Sequence, residues 1–315
     1  MKQPLVVIVG PTAVGKTKTS IELAKKFNGE IISGDSMQIY RGMDIGTAKI
    51  TKDEMQGIKH HLVDIKNPNE SFSVAEFQSL VKYAIKEISE KNKLPILVGG
   101  TGLYVQSVIY DYQFNDANKD EHYRHELEQV AMEKGEQYLY DQLQRIDLEA
   151  AQSIHPNNVR RVIRALEVYH VTSVPFSKWQ KQKEESPYQL ILIGLEMERA
   201  LLYDRINQRV DEMVQKGLIE EVKKFHDAGL KDCQSLQAIG YKEIYAALDG
   251  ETSMEEAIAL LKRNSRRYAK RQFTWFKNKM EVQWFDMTKQ PFDKVLQEIS
   301  TYVAGNWKQI NEISK

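Results

Sequence analysis

Leu5-Val6-Val7-Ile8-Val9 runs directly into Gly10-Pro11-Thr12-Ala13-Val14-Gly15-Lys16-Thr17, and this stretch decides the fold. Five consecutive apolar residues, four of them β-branched, read as a parallel strand buried on both faces. The octet that follows satisfies G-x-x-x-x-G-K-[ST] at every fixed position. Thr19 to Lys26 then carries the spacing of an amphipathic helix. Strand, glycine loop and helix therefore occur in the order an anion-binding loop requires. Glycines let successive N–H groups turn inward towards phosphate oxygens, and the helix adds the positive end of its dipole. Gly10, Pro11, Thr12, Ala13, Val14, Gly15, Lys16 and Thr17 are accordingly the expected phosphate-binding residues. Lys16 neutralises charge and the Thr17 hydroxyl is placed for Mg²⁺. The loop alone does not say which phosphates it holds.

Further outward, 315 residues suffice for a large core and for two domains. Net charge is zero, so attraction to nucleic acid must be local. Cys233 is the single cysteine, which excludes an internal disulfide and a cysteine-based zinc site and suits a reducing cytoplasm. No apolar run is long enough for a membrane span, and Met1-Lys2-Gln3-Pro4 leads into a strand without the pattern of a signal peptide. A cytoplasmic protein with no membrane partner is expected.

Gly29 to Ser33 reads as a second strand, which brings Asp35 to a strand end, where ligands bind in open α/β sheets. Asp35 reads equally as a ligand-facing carboxylate and as the cap of a following helix. Met43 to Lys49 reads as a loop near the site. His60 to Ile65 reads as a short strand whose adjacent histidines point to opposite faces and do not chelate together. Ser73 and Glu76 are expected to form a capping box ahead of a helix bearing Phe77, Leu80, Val81, Ala84, Ile85 and Ile88 at core-facing spacing. Leu94 to Val98 is the next strand. It ends in Gly99-Gly100-Thr101, where many nucleoside-triphosphate hydrolases carry a Mg²⁺-binding Asp. Thr101 is a candidate polar contact.

Beyond Tyr112 the character changes, and residues 113–188 are expected to form a mainly helical insertion in a core made of 1–112 and 189–315. Asn158 is the expected cap of a helix presenting Arg160, Arg161 and Arg164. The strand pattern resumes at Tyr188. A following helix carries Arg205 and Arg209 on one face, open to an anion or to pairing with Asp204 or Asp211. Lys262 to Lys279 holds eight basic residues, no acidic ones and interleaved aromatics, which suits a nucleic-acid or polyphosphate partner. Trp284-Phe285-Asp286 reads as a final strand before an amphipathic helix. The fold class is thus α/β, a P-loop NTPase-like parallel sheet flanked by helices, with a mainly helical insertion domain.

Taken together, the loop, Asp35 to Tyr40, Asp44 to Lys49, His60 to Leu62, Gly99 to Tyr104, Asn158 to Val168, Ile239 to Glu243 and Tyr268 to Phe276 resemble the bacterial tRNA isopentenyltransferases, in their order and from Val6 to about Phe285. The resemblance implies a magnesium-dependent transfer of a dimethylallyl group from dimethylallyl diphosphate to N6 of the adenine beside the tRNA anticodon. It implies Asp35 as general base, Thr12 and Thr101 as positioning groups, and Arg209, with Arg205 second, on the diphosphate. It also implies contacts to the anticodon stem-loop from Asp35, Ser36, Met37, Gln38, Thr101, Arg124, Val159, Arg160, Arg161, Val162, Ile163, Gly240, Tyr241, Lys242 and Arg271. A monomer is expected. Ile50 stands where the family commonly has Pro, and the zinc finger of many eukaryotic relatives has no cysteines here. Other readings of the same residues are a P-loop kinase of a nucleoside or small metabolite, an adenylate isopentenyltransferase acting on a free nucleotide, and an RNA-binding protein without catalysis.

Overall fold

The computed structural model describes residues 2–112, 120–179, 185–231 and 233–312. Six parallel strands, β1 (Gln3–Val9), β2 (Gly29–Ser33), β3 (His60–His61), β4 (Leu94–Gly99), β5 (Tyr188–Glu196) and β6 (Gln283–Asp286), form one sheet in the order β3-β2-β4-β1-β5-β6. Parallel neighbours need crossovers, and helices supply them on both faces. Leu5 to Val9 are almost wholly buried, as an unbroken apolar run demands, and each such side chain contributes about 1.5–3 kcal/mol of burial. Of these, Val6 and Ile8 pack with Ile31, Ile96, Ile191, Ile193 and Leu195 from other strands of the sheet.

The strand order positions the site. β1 is flanked by β4 and β5, so its carboxyl end opens at the middle of the sheet, and the chain skips from β1 over β4 to β2. A crevice at such a reversal is where open α/β sheets take ligands. Gly10 has φ 145°, and a Cβ there would lie 2.5 Å from the Leu195 carbonyl oxygen, so only glycine lets the chain leave β1 at this angle.

Several sequence-based expectations are corrected in detail. β3 spans two residues rather than His60 to Ile65, because Leu62 and Asp64 adopt left-handed conformations that end the strand. Ser73 caps the helix Val74–Glu90 by accepting from the Glu76 N–H. The Glu76 carboxylate turns instead to Lys66, at 2.7 Å, so the reciprocal half of the capping box is absent. Asn158 occupies the N-cap position of the helix Val159–Thr172 without a side-chain cap bond.

The chain divides into two compact units, Met1–Ile109 with Ser186–Lys315, and Tyr110–Glu185. Of the helical stretch expected at 113–188, residues 113–119 and 180–184 lie outside the described residues. The described part is helical: Glu121–Lys134, Glu136–Ile146, Leu148–Ser153, Val159–Thr172 and Phe176–Trp179. Leu127, Leu139, Leu143, Ala151, Val162 and Leu166 meet in its own core.

Candidate active site

The loop Gly10 to Thr17 lies between β1 and the helix Lys16–Lys26. Gly15 precedes that helix at φ 107°, and no side chain caps it. Its first N–H groups therefore remain available to an anion. Lys16 folds over the loop, its ammonium donating to the Gly10 and Pro11 carbonyl oxygens at 2.9 and 2.7 Å. Burial, reinforced by the Arg209 charge and opposed by Asp35, brings its pKa down to about 7. The Arg209 guanidinium is also enclosed, and burial lowers its pKa, with Asp35 the largest opposing influence. Its nearest hydrogen-bond partner is the Thr12 hydroxyl, at 3.5 Å. No carboxylate forms an ion pair with Lys16 or Arg209 among the described residues. Two desolvated cations beside a glycine loop make a site for a multiply charged anion.

Asp35 stands two residues beyond β2. One carboxylate oxygen accepts from the N–H groups of Met37 at 2.8 Å and Gln38 at 3.4 Å. Asp35 therefore closes a turn through Met37 and Gln38 rather than capping a helix. Its side chain also lines a cavity of about 370 Å³ with Thr12, Ser36, Met37, Arg209 and Arg271. Ile206, Val210, Met213 and Leu261 give this cavity an apolar wall, and Tyr268 stands beside Arg271. The Thr101 hydroxyl lies 3.5 Å from that of Ser36. Arg205 is exposed and faces a second opening on the loop, with Arg209, Lys16 and Thr17. The geometry therefore separates the two arginines: Arg209 is enclosed between loop and cavity, whereas Arg205 is at the rim. Asp211 is occupied with Lys262 at 2.6 Å.

The opposite wall, Gly46 to Ala48, is held by Gln38 and above all by Glu221, which the sequence reading did not single out. One buried carboxylate, Glu221, accepts the N–H groups of Asp44, Ile45 and Gly46 at 3.0, 2.7 and 3.0 Å and also takes the Tyr241 hydroxyl. Lys49 is buried against Asp44, Asp64 and the Tyr40 carbonyl. The Gln38 amide donates to the carbonyls of Thr47 and Ala48 at 3.4 and 3.3 Å. Gln272 joins Thr12 to Gly100. Glu221 and Gln272 had a legible signal: each is a polar residue on the apolar stripe of its helix, beside Leu218 and Val222 in one case and Ala269 and Phe276 in the other.

Some of the residues expected at the RNA are buried or already partnered within the fold. Tyr241 is fully buried with its hydroxyl on Glu221, which holds that hydroxyl far above its ordinary pKa through burial and the adjacent charge. Gly240 opens the helix Tyr241–Leu248, its N–H donating to Glu243 at 2.7 Å in a buried position. Lys242 does line the cavity. In the helical unit, Val162 and Ile163 face the core and Val159 packs against it. Arg124 makes a two-pronged pair with the buried Glu167, at 2.8 Å each, and Arg164 joins the same carboxylate at 2.5 Å, so Arg164 is not the free surface cation expected. Arg160 and Arg161 are exposed. On the core unit, Arg267, Lys270, Arg271, Trp275 and Lys279 line a shallow groove along the outer side of the helix Met254–Lys279.

Comparison with known proteins places these features in a family. Residues 38–279 match the family described as IPP transferase. A tRNA dimethylallyltransferase of Halalkalibacterium halodurans is 61% identical, over 98% of this chain and 99% of that protein. One from Geobacillus thermodenitrificans is 61% identical over 97% and 98%. The crystal structure of a full-length tRNA isopentenylpyrophosphate transferase from Bacillus halodurans superposes with a TM-score of 0.77 at 60% identity, covering 99% of both chains. A eukaryotic dimethylallyltransferase, described as captured acting on tRNA, gives a TM-score of 0.84 at 29% identity, covering 98% of this chain and 80% of that one. The chain belongs to the IPP transferase family.

Proposed function

We propose that this chain transfers the dimethylallyl group of dimethylallyl diphosphate to N6 of the adenine beside the tRNA anticodon, giving N6-(dimethylallyl)adenosine and diphosphate. One observation carries the reading: a cavity with an apolar wall adjoins the opening over the anion-binding loop, and the two share Thr12, Asp35 and Arg209 in their linings. A short prenyl diphosphate needs both an anionic and an apolar end. A phosphoryl acceptor alone gives no use for Ile206, Val210, Met213 and Leu261.

The reaction places its demands on these residues in order. As N6 attacks the allylic carbon, the carbon–oxygen bond breaks and its electron pair leaves with the diphosphate. The main need is charge stabilisation where that charge gathers. Lys16, the N–H groups of Ala13 to Thr17 and Arg209 supply it. The adenine amine is a weak nucleophile because its lone pair is delocalised into the ring, and Asp35 takes its proton as the new bond forms. Thr12 and Thr101 hold the reacting groups on either side of Asp35.

Magnesium fits the residues present. Thr17 offers a hydroxyl beside a small recess of about 70 Å³, and no group of three or more His, Cys, Asp or Glu side chains able to hold a metal occurs among the described residues. Few protein oxygens suit a cation that keeps water and takes substrate phosphates as ligands. When bound, Mg²⁺ supplies further charge to the leaving diphosphate.

Arg160 and Arg161 on the helical unit and the basic groove of the helix Met254–Lys279 grip the anticodon stem-loop, which delivers a splayed adenine. No helix among the described residues is long and apolar enough to cross a membrane. The enzyme works as a cytoplasmic monomer.

The test incubates the protein with labelled dimethylallyl diphosphate and either unmodified tRNA or AMP, with labelled ATP in parallel. Label in tRNA supports the reading. Label in AMP alone indicates a free-nucleotide enzyme, and phosphate transfer without prenyl transfer indicates a kinase. Run alongside, Asp35→Ala is expected to keep tRNA affinity and lose about 10²–10⁴ in turnover; normal turnover removes Asp35 from the role of base.

A further inference from the structure

The backbone pairing between β1 and β4 ends at Val9 and Gly99. Beyond that register the two strands part, one entering the glycine loop and the other turning towards Thr101. A third element bridges the gap. The Gln272 side-chain oxygen accepts the Thr12 N–H at 2.9 Å, and its amide nitrogen donates to the Gly100 carbonyl at 3.0 Å. The side-chain amide thus acts like one more peptide rung between the strands. It is 6% exposed, so both bonds are shielded from water and each unmade partner is costly. Space has been reserved for it: a Cβ on Gly100 would stand 2.1 Å from the Gln272 amide nitrogen.

Three neighbours tie this rung to the chemistry. Thr12 carries the hydroxyl nearest Arg209, and Thr101 follows the bridged Gly100. Tyr268, one turn earlier on the same helix, stands beside both the Thr101 and the Gln272 side chains. The same helix turns Lys270 and Arg271 outward. The Thr12 N–H is also spoken for, which leaves the anion to the N–H groups downstream of it.

We infer that Gln272 is a positioning residue for the transfer reaction, holding Thr12 and Thr101 in register across the carboxyl ends of β1 and β4. It touches neither substrate. This inference rests on the proposed prenyl transfer and gives a role to a residue that lies in the segment Tyr268 to Phe276 but that the resemblance left without one.

Gln272→Met keeps the volume and removes both bonds. Relative to wild type it is expected to lower kcat by about tenfold to a hundredfold, the cost of roughly ångström misplacement, with the KM for tRNA changed less than about twofold. Gly100→Ala, which displaces the amide, is expected to reproduce the loss. Gln272→Glu keeps the acceptor for Thr12 and loses the donor to Gly100. A protonated Glu regains that donor, so its turnover, taken as a ratio to wild type, should rise as pH falls. That acid rescue separates positioning from packing and remains readable if the Met variant does not fold. Wild-type kcat in Gln272→Met, or a Gln272→Glu ratio that is flat with pH, overturns the inference. Prenyl transfer by wild type together with either result removes only the role of Gln272. Absence of prenyl transfer by wild type removes the reading beneath it as well.

Discussion

Two lysines on the two walls of the site differ in the company they keep. On the opposing loop, the Lys49 ammonium is 2.6 Å from Asp44 and 2.5 Å from Asp64 and takes the Tyr40 carbonyl as well. On the glycine loop, Lys16 has only the Gly10 and Pro11 carbonyls as hydrogen-bond partners among the described residues, and the Arg209 charge opposes it more than Asp35 favours it. Lys49 is complete within the fold. Lys16 is desolvated without an ion-paired carboxylate, a state that an arriving anion relieves. The helical unit repeats the first case: Arg124 and Arg164 are satisfied by the buried Glu167. A cation drawn partly out of water marks a ligand site when no carboxylate pairs with it among the described residues and a structural tie when one does.

The comparison breaks most visibly at Lys16. Lys16→Met is expected to lower kcat about 10²–10³-fold, in the range for losing one preorganised charge stabiliser of a leaving group, while the ligand-free protein melts no lower than wild type. Steady-state turnover and thermal melting check the two halves. A variant that transfers normally, or one that melts well below wild type, places Lys16 with the structural lysines.

Lys49→Met should show the converse at smaller size. Its carboxylate partners are roughly half exposed, so water recovers part of what they lose, and about 1–3 kcal/mol of stability is expected to go. Turnover per folded molecule falls by less than tenfold, through the loosened wall at Gly46 to Ala48. Denaturant unfolding and active-site-normalised rates measure this. A larger loss of turnover than of stability would make Lys49 a functional cation.

The ease of reading these regions from the sequence follows from the same difference. The glycine loop is local: β1, Gly10 to Thr17 and the next helix are contiguous, so strand pattern and motif suffice. Asp35 is readable because strand ends in parallel sheets face the ligand crevice. The wall is not local. Glu221 meets Asp44 to Gly46 across about 175 positions, and Gln272 meets Thr12 across 260, so no window contains both partners. Burial is likewise a three-dimensional property. A helix bearing Arg160 to Arg164 reads as one basic face, yet Val162 and Ile163 enter the core and Arg164 is consumed by Glu167. What the chain does offer at these places is a polar residue on an apolar stripe, which flags a buried partner without naming it.

The smallest predicted effect is also the most direct reading of unpaired charge. Burial first and Arg209 second hold Lys16 down to about 7, so at about pH 8 the ligand-free protein carries it mostly neutral. Diphosphate favours the charged form and raises that pKa, so binding takes up a fraction of a proton. Near about pH 6 the lysine is already protonated and the uptake vanishes. Folding obeys the same linkage: because the folded pKa lies below the unfolded one, Lys16 destabilises the ligand-free fold fully below about 7, and the penalty is relieved as pH rises towards 10.5. Calorimetry of diphosphate binding in buffers of different ionisation enthalpy measures the uptake, and subtracting Lys16→Met removes protons that belong to the ligand. Uptake at about pH 8 that persists in Lys16→Met assigns the proton to another group, and equal loss in Lys49→Met erases the distinction between the two lysines.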